Sequence, residues 1–222
     1  MPIPRPLHLF VGSATVAAGI AFSIAISVAT DKGAWTTKTP APTKRTEVVA
    51  AALGGKIYVI GGFDRSMVNI WNPTASVYEY DSQSNQWRTR APMPTPRGAL
   101  AVAVLDGKLH AVGGYTRDSN TGAHEVYDPQ TDSWSSAAPL LVPRDHHAAA
   151  VAGGRLYAIG GRLNRQYSQN LAVNEMYDPS NNQWTRKADM PTARSGITAG
   201  VLGGRIYVFG GEATSGTFHE SP

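Results

Sequence analysis

The side chains best suited to chemistry in this 222-residue chain form one short run, Asp145-His146-His147. A histidine beside a carboxylate is a common pairing for proton transfer, so one of the two histidines could bind a ligand, or act as a general acid or base with Asp145 or with a loop glutamate. Adjacent residues of a strand point to opposite faces, which argues against a metal site at this run. A structural role is the favoured interpretation, and no catalytic residue, metal or cofactor is predicted.

Other patterns that would carry chemistry are missing from the sequence. The chain has no cysteine, which excludes disulfides, thiolate catalysis and cysteine-ligated metals. It has no nucleophile elbow, no glycine-rich phosphate loop before a helix and no histidine pair at helical spacing. The net charge is +4, but the 20 lysines and arginines are spread along the chain, so no nucleic-acid partner is predicted.

The elements that must position these residues repeat along the chain. Three markers recur with the same spacings of 52, 47 and 50 residues, and only the stretch from the glycine pair to a Tyr-Asp pair varies in length. One loop per unit therefore absorbs the variation, as surface loops do. The markers are an arginine (Arg45, Arg97, Arg144, Arg194), a glycine pair (Gly61-Gly62, Gly113-Gly114, Gly160-Gly161, Gly210-Gly211) and a tryptophan (Trp35, Trp87, Trp134, Trp184).

Each unit predicts four strands, a to d, with a Gly-Gly or Asp-Gly hairpin turn between a and b. The set of Arg, turn Gly, Gly-Gly, Tyr-Asp-Pro and Trp at these distances resembles the kelch repeat over residues 34–220. The resemblance implies an all-β propeller, and the units number about four, the last of them incomplete. The uncharged run at the start of the chain predicts a hydrophobic helix before the propeller. The units span 44–88, 96–135, 143–185 and 193–222, with an orphan strand d around 34–38.

The number of blades leaves three outcomes open. The last unit stops before its tryptophan, whereas Trp35 has no unit of its own. The strand of Trp35 could complete the last blade of a four-bladed ring, the blades could form an open arc, or the chain could be a truncated product of a longer gene. Truncation or an open arc is favoured, and an open arc would expose strand edges.

Most of the repeated residues have an expected structural role. The glycine pairs should allow close backbone approach near the propeller axis, where a Cβ would collide. The tryptophans and tyrosines should fill the space between blades. The repeated arginines should pair with a carboxylate or with backbone carbonyls of an adjacent blade, and Asp128-Pro129 and Asp178-Pro179 should start turns.

The first 29 residues predict an export signal. Residues 9–29 are uncharged and follow a short segment that contains Arg5. Ser27 and Ala29 place small residues at the two positions that a signal peptidase reads, which suits cleavage after Ala29. The run is also long enough for an uncleaved membrane anchor. The remainder is expected to be periplasmic or secreted, or membrane-anchored on the extracytoplasmic side.

The b–c loops and the d–a linkers should emerge on one face, because strand direction alternates within a blade. Kelch proteins commonly bind ligands or peptides on this face, so the resemblance implies an exported module that binds a protein or a glycan there. Trp71 is the one tryptophan outside the repeated position, and it could equally pack on its own blade. The candidate binding residues are Asp64, Arg65, Trp71, Tyr115, Arg117, Asp145, His146, Arg162, Arg165, Tyr167 and Glu212.

Two enzyme families share the architecture that the resemblance implies. Copper radical oxidases need a tyrosine crosslinked to a cysteine and are excluded, because the chain has none. Exported sialic-acid (N-acetylneuraminate) mutarotases remain an alternative on fold-level analogy, with Arg162, Arg165 and Glu212 as candidates for the chemistry. A truncated, non-functional fragment of a longer kelch protein is the third alternative.

Overall fold

The computed structural model describes residues 34–64, 71–214 and 217–218. The chain divides into the units Met1–Thr37 and Lys38–Pro222. The predicted hydrophobic helix and the export segment lie outside the described residues, and none of the helical structure within them is long and apolar enough to cross a membrane. The described part of the second unit is built of β-strands, apart from the 3-10 turn Tyr167–Gln169, which confirms the all-β prediction.

A unit is hereafter one sequence repeat, and successive repeats contribute successive groups of strands. The strands of the first unit are β1 (Arg45–Thr46), β2 (Val49–Leu53), β3 (Lys56–Ile60), β4 (Phe63–Asp64), β5 (Asn72–Pro73), β6 (Val77–Asp81) and β7 (Gln86–Arg90). Those of the second are β8 (Ala101–Leu105), β9 (Lys108–Val112), β10 (His124–Asp128) and β11 (Ser133–Ala137). The third unit has β12 (Ala148–Ala152), β13 (Arg155–Ile159), β14 (Asn174–Asp178) and β15 (Gln183–Arg186). The fourth has β16 (Thr198–Leu202), β17 (Arg205–Phe209), β18 (Glu212–Thr214) and β19 (Thr217–Phe218).

The long strands form separate antiparallel sheets, which are the blades. Blade 1 has the order β2-β3-β6-β7, blade 2 has β8-β9-β10-β11 and blade 3 has β12-β13-β14-β15. Blade 4 consists of β16 and β17 alone in the described residues. The first strands β2, β8, β12 and β16 lie next to one another in that order, so strand a is the innermost strand of each blade. This radial arrangement is that of propeller blades.

A polar clamp joins the outer strands of blades 1, 2 and 3 to the linker that precedes each of these blades. In blade 2, the Trp134 indole N–H donates to the carbonyl of Ala91 at 2.9 Å. The Asp132 carboxylate accepts both the Ala91 amide at 2.9 Å and the Tyr127 hydroxyl at 2.6 Å. Both backbone groups of one linker residue are thus satisfied by the next blade. The same clamp joins Thr39 to Trp87, Asn85 and Tyr80, and Ala138 to Trp184, Asn182 and Tyr177.

Trp35 differs from the other repeated tryptophans. Its side chain is fully exposed, and the described residues 34–44 contain no strand, so the orphan strand d expected around 34–38 is not found there. Ala188 occupies the linker position after blade 3 that is equivalent to Ala91. No tryptophan of a following blade donates to Ala188 in the described part of the chain.

The repeated arginines find their partners within their own blade rather than in an adjacent one. The buried Arg144 guanidinium donates to Glu175 at 3.0 Å, to the Val142 carbonyl at 2.8 Å and to the Ala158 carbonyl at 2.9 Å. Glu175 lies on β14 of the same blade, so the arginine holds strands a, b and c together. Arg97 makes the equivalent pair with Glu125, and Arg45 lies over the ring of Tyr78, which takes the place of that glutamate.

The glycine pairs lie where successive blades approach most closely. The Gly161 amide donates to the carbonyl of Arg194 in the next blade at 2.8 Å. A Cβ on Gly160 would lie 2.7 Å from that same carbonyl oxygen, which is closer than real Cβ contacts. Gly210 has the same left-handed backbone but no atom within 4 Å of its hypothetical Cβ. The equivalent bonds join Gly62 to Arg97 and Gly114 to Arg144.

This difference makes Gly160 and Gly210 a matched pair for mutation. Both have a positive φ, 63° and 65°, so alanine carries the same backbone strain of about 1 kcal/mol at either position. We expect Gly160→Ala to lose about 1–3 kcal/mol more of unfolding free energy than Gly210→Ala, because only Gly160 faces another blade. Urea denaturation in dilute solution measures both. Equal losses would contradict a steric role for the glycine pair.

Candidate functional site

The starts of the a strands and of the b–c loops come together at one end of the blades, as their strand directions require. Short antiparallel bridges join Gly98 to Tyr115, Asp145 to Arg162 and Ser195 to Glu212, and β1 pairs with β4 in the same way. We refer to the twelve residues at these positions as the mouth. They are Thr46, Glu47, Phe63, Gly98, Ala99, Tyr115, Asp145, His146, Arg162, Ser195, Gly196 and Glu212.

A belt of backbone hydrogen bonds runs around the mouth from blade to blade. The Ala99 amide donates to the Glu47 carbonyl at 3.1 Å, His146 to Ala99 at 2.9 Å and Gly196 to His146 at 2.9 Å. Each of these residues has a φ between 52° and 62°. Left-handed backbone costs about 1–2 kcal/mol for a residue other than glycine, so the hydrogen bonds of the belt must offset this strain at Glu47, Ala99 and His146. It fixes the backbone from which the His146 and Glu47 side chains extend.

The mouth is chemically uneven around the belt. Blades 1 and 2 contribute aromatic side chains after their glycine pairs, Phe63 and Tyr115, whereas blades 3 and 4 contribute Arg162 and Glu212 at the equivalent positions. The structural residues repeat from blade to blade, but the residues at the mouth do not. We call the parts of the mouth built on these residues the aromatic half and the charged half; Tyr115 and Glu212 are partly exposed, whereas Phe63 and Arg162 are buried beneath them.

Asp145 is the centre of the charged half. Its side chain is fully buried, and its Oδ1 accepts from the His146 Nδ1 and from the Arg162 Nε at 3.2 Å. Its Oδ2 accepts from Asn120 Nδ2 at 2.6 Å and from the Arg165 amide at 3.3 Å. Burial alone would raise the pKa of Asp145, but the hydrogen bond and positive charge from His146, with those of Asn120 and Arg162, hold the pKa below its usual value.

Arg162 links the third blade to the fourth. Its buried guanidinium donates to Glu212 Oε2 at 3.2 Å, and its Nη2 lies 3.0 Å from His146 Nε2. The backbone of Glu212 is fixed as well, because its carbonyl accepts from Asn170 Nδ2 at 2.7 Å. Three carboxyl groups, those of Glu47, Asp145 and Glu212, therefore surround one guanidinium and one imidazole.

His146 has the geometry of a proton-transfer group. Its Nδ1 bonds to Asp145, and its Nε2 faces both Arg162 and the Glu47 Oε1, which lies 3.6 Å away. Burial would lower the pKa of His146, but the hydrogen bonds to Asp145 and Glu47 outweigh burial and raise it. A histidine oriented by a buried aspartate can take or give a proton near neutral pH. The arrangement thus meets the geometric condition that the sequence pattern suggested.

The aromatic half of the mouth is organised by Arg165. Its guanidinium carbon lies 3.8 Å from the ring centre of Trp71, 5.2 Å from that of Tyr115 and 5.6 Å from that of Phe63. Trp71 also meets Phe63 edge to face, with ring centres 5.5 Å apart. Loops from three blades therefore converge on one cation, an arrangement stabilised by cation–π attraction.

The remaining sequence candidates lie on the rim or outside the described residues. Arg117 donates to Asn72 at 2.9 Å, and Asn72 donates to Asp64 at 2.9 Å, which joins the loops of blades 1 and 2. Tyr167 begins the 3-10 turn. Arg65 and the side chain of Tyr167 lie outside the described part of the structure.

Two residues of the charged cluster were not among the sequence candidates. They are Glu47, which belongs to the mouth, and Asn120, which bonds to Asp145 there. Glu47 stands two residues after the repeated Arg45, the same repeat position as His146, and aligning the units would have revealed it. Asn120 donates to Asp145 of the next blade, and its counterpart in blade 3 is Asn170, which donates to the Glu212 carbonyl. Both asparagines lie seven residues before the tyrosine of the Tyr-Asp pair, so counting back from that pair would have found Asn120.

A buried histidine lies behind the mouth, beside a cavity along the propeller axis. The cavity holds about 300 Å³ and is lined by the first strands of all four blades. His147 occupies a position where the other blades have Val48, Leu100 and Ile197, and both of its ring nitrogens lack a hydrogen-bond partner in the described structure. Burial, with the positive charge of Arg144, lowers the pKa of His147 well below its usual value.

Two further histidines are buried between blades 2 and 3. His110 Nδ1 lies 2.8 Å from His124 Nε2, and the His124 ring packs edge to face on Tyr177. Burial lowers the pKa of His110 to about 4 and that of His124 to about 3. All three inner histidines are therefore neutral in the folded state near neutral pH.

These shifts predict that the free energy of unfolding decreases in mild acid. A histidine with a lowered folded pKa binds its proton only on unfolding, so stability is complete above the unfolded pKa of about 6.5 and falls by up to about 1.4 kcal/mol per pH unit for each such group below it. Urea denaturation between pH 8 and pH 5 measures the slope. We expect His147→Leu to reduce the slope by one proton and to raise stability at pH 7, since Leu100 fills the same position in blade 2. An unchanged slope would contradict a neutral, buried His147.

The repeat pattern can now be compared with known proteins. A profile described as the Kelch motif matches residues 44–94, 96–141 and 143–191, about two thirds of the chain. The chain belongs to the kelch-repeat family. The matched segments begin just before each repeated arginine and include the glycine pair and the tryptophan of blades 1 to 3.

Relatives of this kelch-repeat protein are similar to parts of it only. Kelch-like protein 35 of Mus musculus is 34% identical over 80 residues, which are 36% of this chain and 12% of the relative. Kelch-like ECH-associated protein 1A of Danio rerio is 40% identical over 65 residues, 29% of this chain and 11% of the relative. N-acetylneuraminate epimerase of Pasteurella multocida is 40% identical over 78 residues, 34% of this chain and 20% of the relative. The chain thus spans a fifth or less of the length of these relatives.

Proposed function

We propose that this kelch-repeat protein is an exported interaction module that binds a protein partner through the mouth and the b–c loops around it. The observation that carries the proposal is that the structural positions of the repeats are constant, whereas the mouth positions vary. The arginine, glycine and tryptophan positions recur, whereas the equivalent mouth positions hold Phe63, Tyr115, Arg162 and Glu212. A surface that varies on a constant frame is suited to recognising one particular partner. Export is proposed from the uncharged segment 9–29.

The aromatic half supports a protein partner in particular. Tryptophan, tyrosine and arginine are the residues most enriched at the energetic centres of protein interfaces. Trp71, Tyr115 and Arg165 lie together here, each partly exposed and each held by the others. A rigid, amphipathic cluster of this kind loses little conformational entropy when a partner covers it.

The charged half supports a partner segment that brings a hydrogen-bond donor. The Glu47 Oε2 is buried and has no hydrogen-bond partner in the described residues. A buried acceptor without a donor costs about 1–3 kcal/mol. A lysine, an arginine or a backbone amide from the partner would recover that free energy at Glu47, next to His146.

Site-specific photo-crosslinking tests the proposed surface. A photoreactive amino acid at position 118, exposed in the b–c loop of blade 2, is compared with one at position 130, exposed in the c–d turn at the opposite end of the same blade. In cells of the source organism we expect a discrete protein adduct from position 118 only, and less of it in the variant Arg165→Ala, because the aromatic cluster loses its centre. An adduct from position 130 alone, or equal adducts from both, would assign the partner to another surface.

A second candidate function is carbohydrate mutarotation, and the charged half favours it. Anomer exchange needs a base to remove the anomeric hydroxyl proton and an acid to protonate the ring oxygen. His146, paired with Asp145, and Glu212, paired with Arg162, are such groups within one cluster. The similarity to an N-acetylneuraminate epimerase over a third of the chain supports a sialic acid as the sugar.

An NMR anomer-exchange experiment with N-acetylneuraminate tests the second candidate. If the chain is a mutarotase, exchange is faster than in buffer, and the loss of either proton-transfer group should lower the rate about 100-fold or more in Glu212→Gln and His146→Gln. Lys108→Ala, at the opposite end of blade 2, serves as the control because its ion pair with Asp128 is remote from the mouth. Exchange at the buffer rate with the unaltered chain would exclude this function for N-acetylneuraminate.

A further inference from the structure

One face of blade 4 exposes large apolar side chains at positions that are buried in blade 2. Leu202 is 73% exposed and Phe209 57%, whereas Leu105 and Val112 at the equivalent positions of blade 2 are 3% and 0% exposed. Tyr207 is 41% exposed, and its counterpart Tyr58 in blade 1 is buried. These residues lie on the face of β16 and β17 that, in blades 1 and 2, packs against the next blade.

The backbone of blade 4 also offers the groups that bind a next blade. In the three interfaces of the structure, the second glycine of each pair donates its amide to the arginine carbonyl of the following blade. The Gly211 amide has no such acceptor in the described residues, and the space beside Gly210 is open. The belt ends at the Gly196 carbonyl, which receives no bond from a further blade among the described residues.

Blade 1 presents the complementary face at the other end of the arc. Ile57 is 42% exposed, whereas Leu109 and Leu156, its counterparts in blades 2 and 3, are fully buried against the preceding blade. The Glu47 amide, the first of the belt positions, has no preceding belt carbonyl to bond within the described structure. The outer half of this face is already covered, because Thr39 forms the clamp with Trp87 and Asn85.

The two open faces match in extent as well as in chemistry. Blade 4 consists of the two inner strands β16 and β17 in the described residues. The uncovered part of blade 1 is its inner half, around Ile57 and Val48, which is 38% exposed. The face that is open on blade 1 is therefore the part that the a and b strands of a preceding blade cover in the other interfaces.

We propose that blade 4 of one chain docks on blade 1 of a second copy, head to tail, and repeats the interface that joins the blades within the chain. The proposed contact continues the three interfaces already formed, using the same residue positions. It would cover Leu202, Tyr207 and Phe209 of one copy with the Ile57 face of the other. Two such contacts related by a twofold axis would close a ring of about eight blades, at the upper end of the usual range.

Sedimentation of the full chain, and of two variants that each block one end, tests the proposal. Phe209→Lys places a charge on the blade 4 face, and Ile57→Lys places one on the blade 1 face. Both residues are exposed within one chain, so the fold should be retained, which circular dichroism checks. We expect the unaltered chain to reach twice the mass of one copy as its concentration rises, and each variant to weaken the association about 100-fold or more, because an unpaired charge would be buried.

Mixing the variants distinguishes head-to-tail docking from other modes of association. A Phe209→Lys chain keeps its blade 1 face and an Ile57→Lys chain keeps its blade 4 face, so the mixture should form a one-to-one dimer that neither variant forms alone. Leu141→Lys is the matched control, because Leu141 is as exposed as Phe209, 57%, but lies in a d–a linker. It should associate like the unaltered chain.

Three results would overturn the proposal. One is a single-copy mass for the unaltered chain up to about 100 µM, where contacts of modest affinity are occupied. Another is loss of association in Phe209→Lys without rescue by Ile57→Lys, which would indicate contact between two blade 4 faces. The third is equal loss in Leu141→Lys, which would indicate unspecific association.

Discussion

The close approach of each glycine pair to the arginine of the next blade is the contact on which the rest of the molecule depends. The bond from the Gly161 amide to the Arg194 carbonyl, and its equivalents, set the spacing between blades near the axis. That spacing leaves no room for a Cβ and requires a positive φ, so glycine is needed for two reasons at once. Once the spacing is set, the adjacent belt residues fall within hydrogen-bonding distance, and the clamp at the outer edge can close.

The arginine serves two partners through different atoms. Its carbonyl accepts from the preceding blade, while its guanidinium satisfies carbonyls and, in blades 2 and 3, a buried glutamate within its own blade. A buried ion pair contributes little net stability when desolvation is included, but loss of one partner is costly. The pair therefore acts mainly to fix the strand that enters the mouth, and residues 145 and 146 follow directly from Arg144.

Much of the fold could be predicted from distances in the sequence, and the site only in part. The constant intervals between tryptophan, arginine and glycine pair reflect hydrogen bonds whose geometry permits no insertion, so the blades were predictable. The convergence of loops on Asp145, His146, Arg162 and Glu212 also followed from strand direction. The contact of the Arg165 amide with Asp145 did not, because Arg165 lies in the part of the b–c loop whose length does not repeat. The exposure of Trp35 was likewise not predictable, since its sequence context is that of a strand whose partners are missing from the pattern.

The charged cluster and the open ends of the arc are not independent features. The belt begins at Glu47, whose own carboxylate belongs to the mouth. It ends at Gly196, and the neighbouring Ser195 pairs with Glu212 through the backbone. His146 contacts Glu47 and Arg162 contacts Glu212, so the charged half spans both ends of the belt. A blade docked at either end would therefore bond to the belt next to one of these carboxylates.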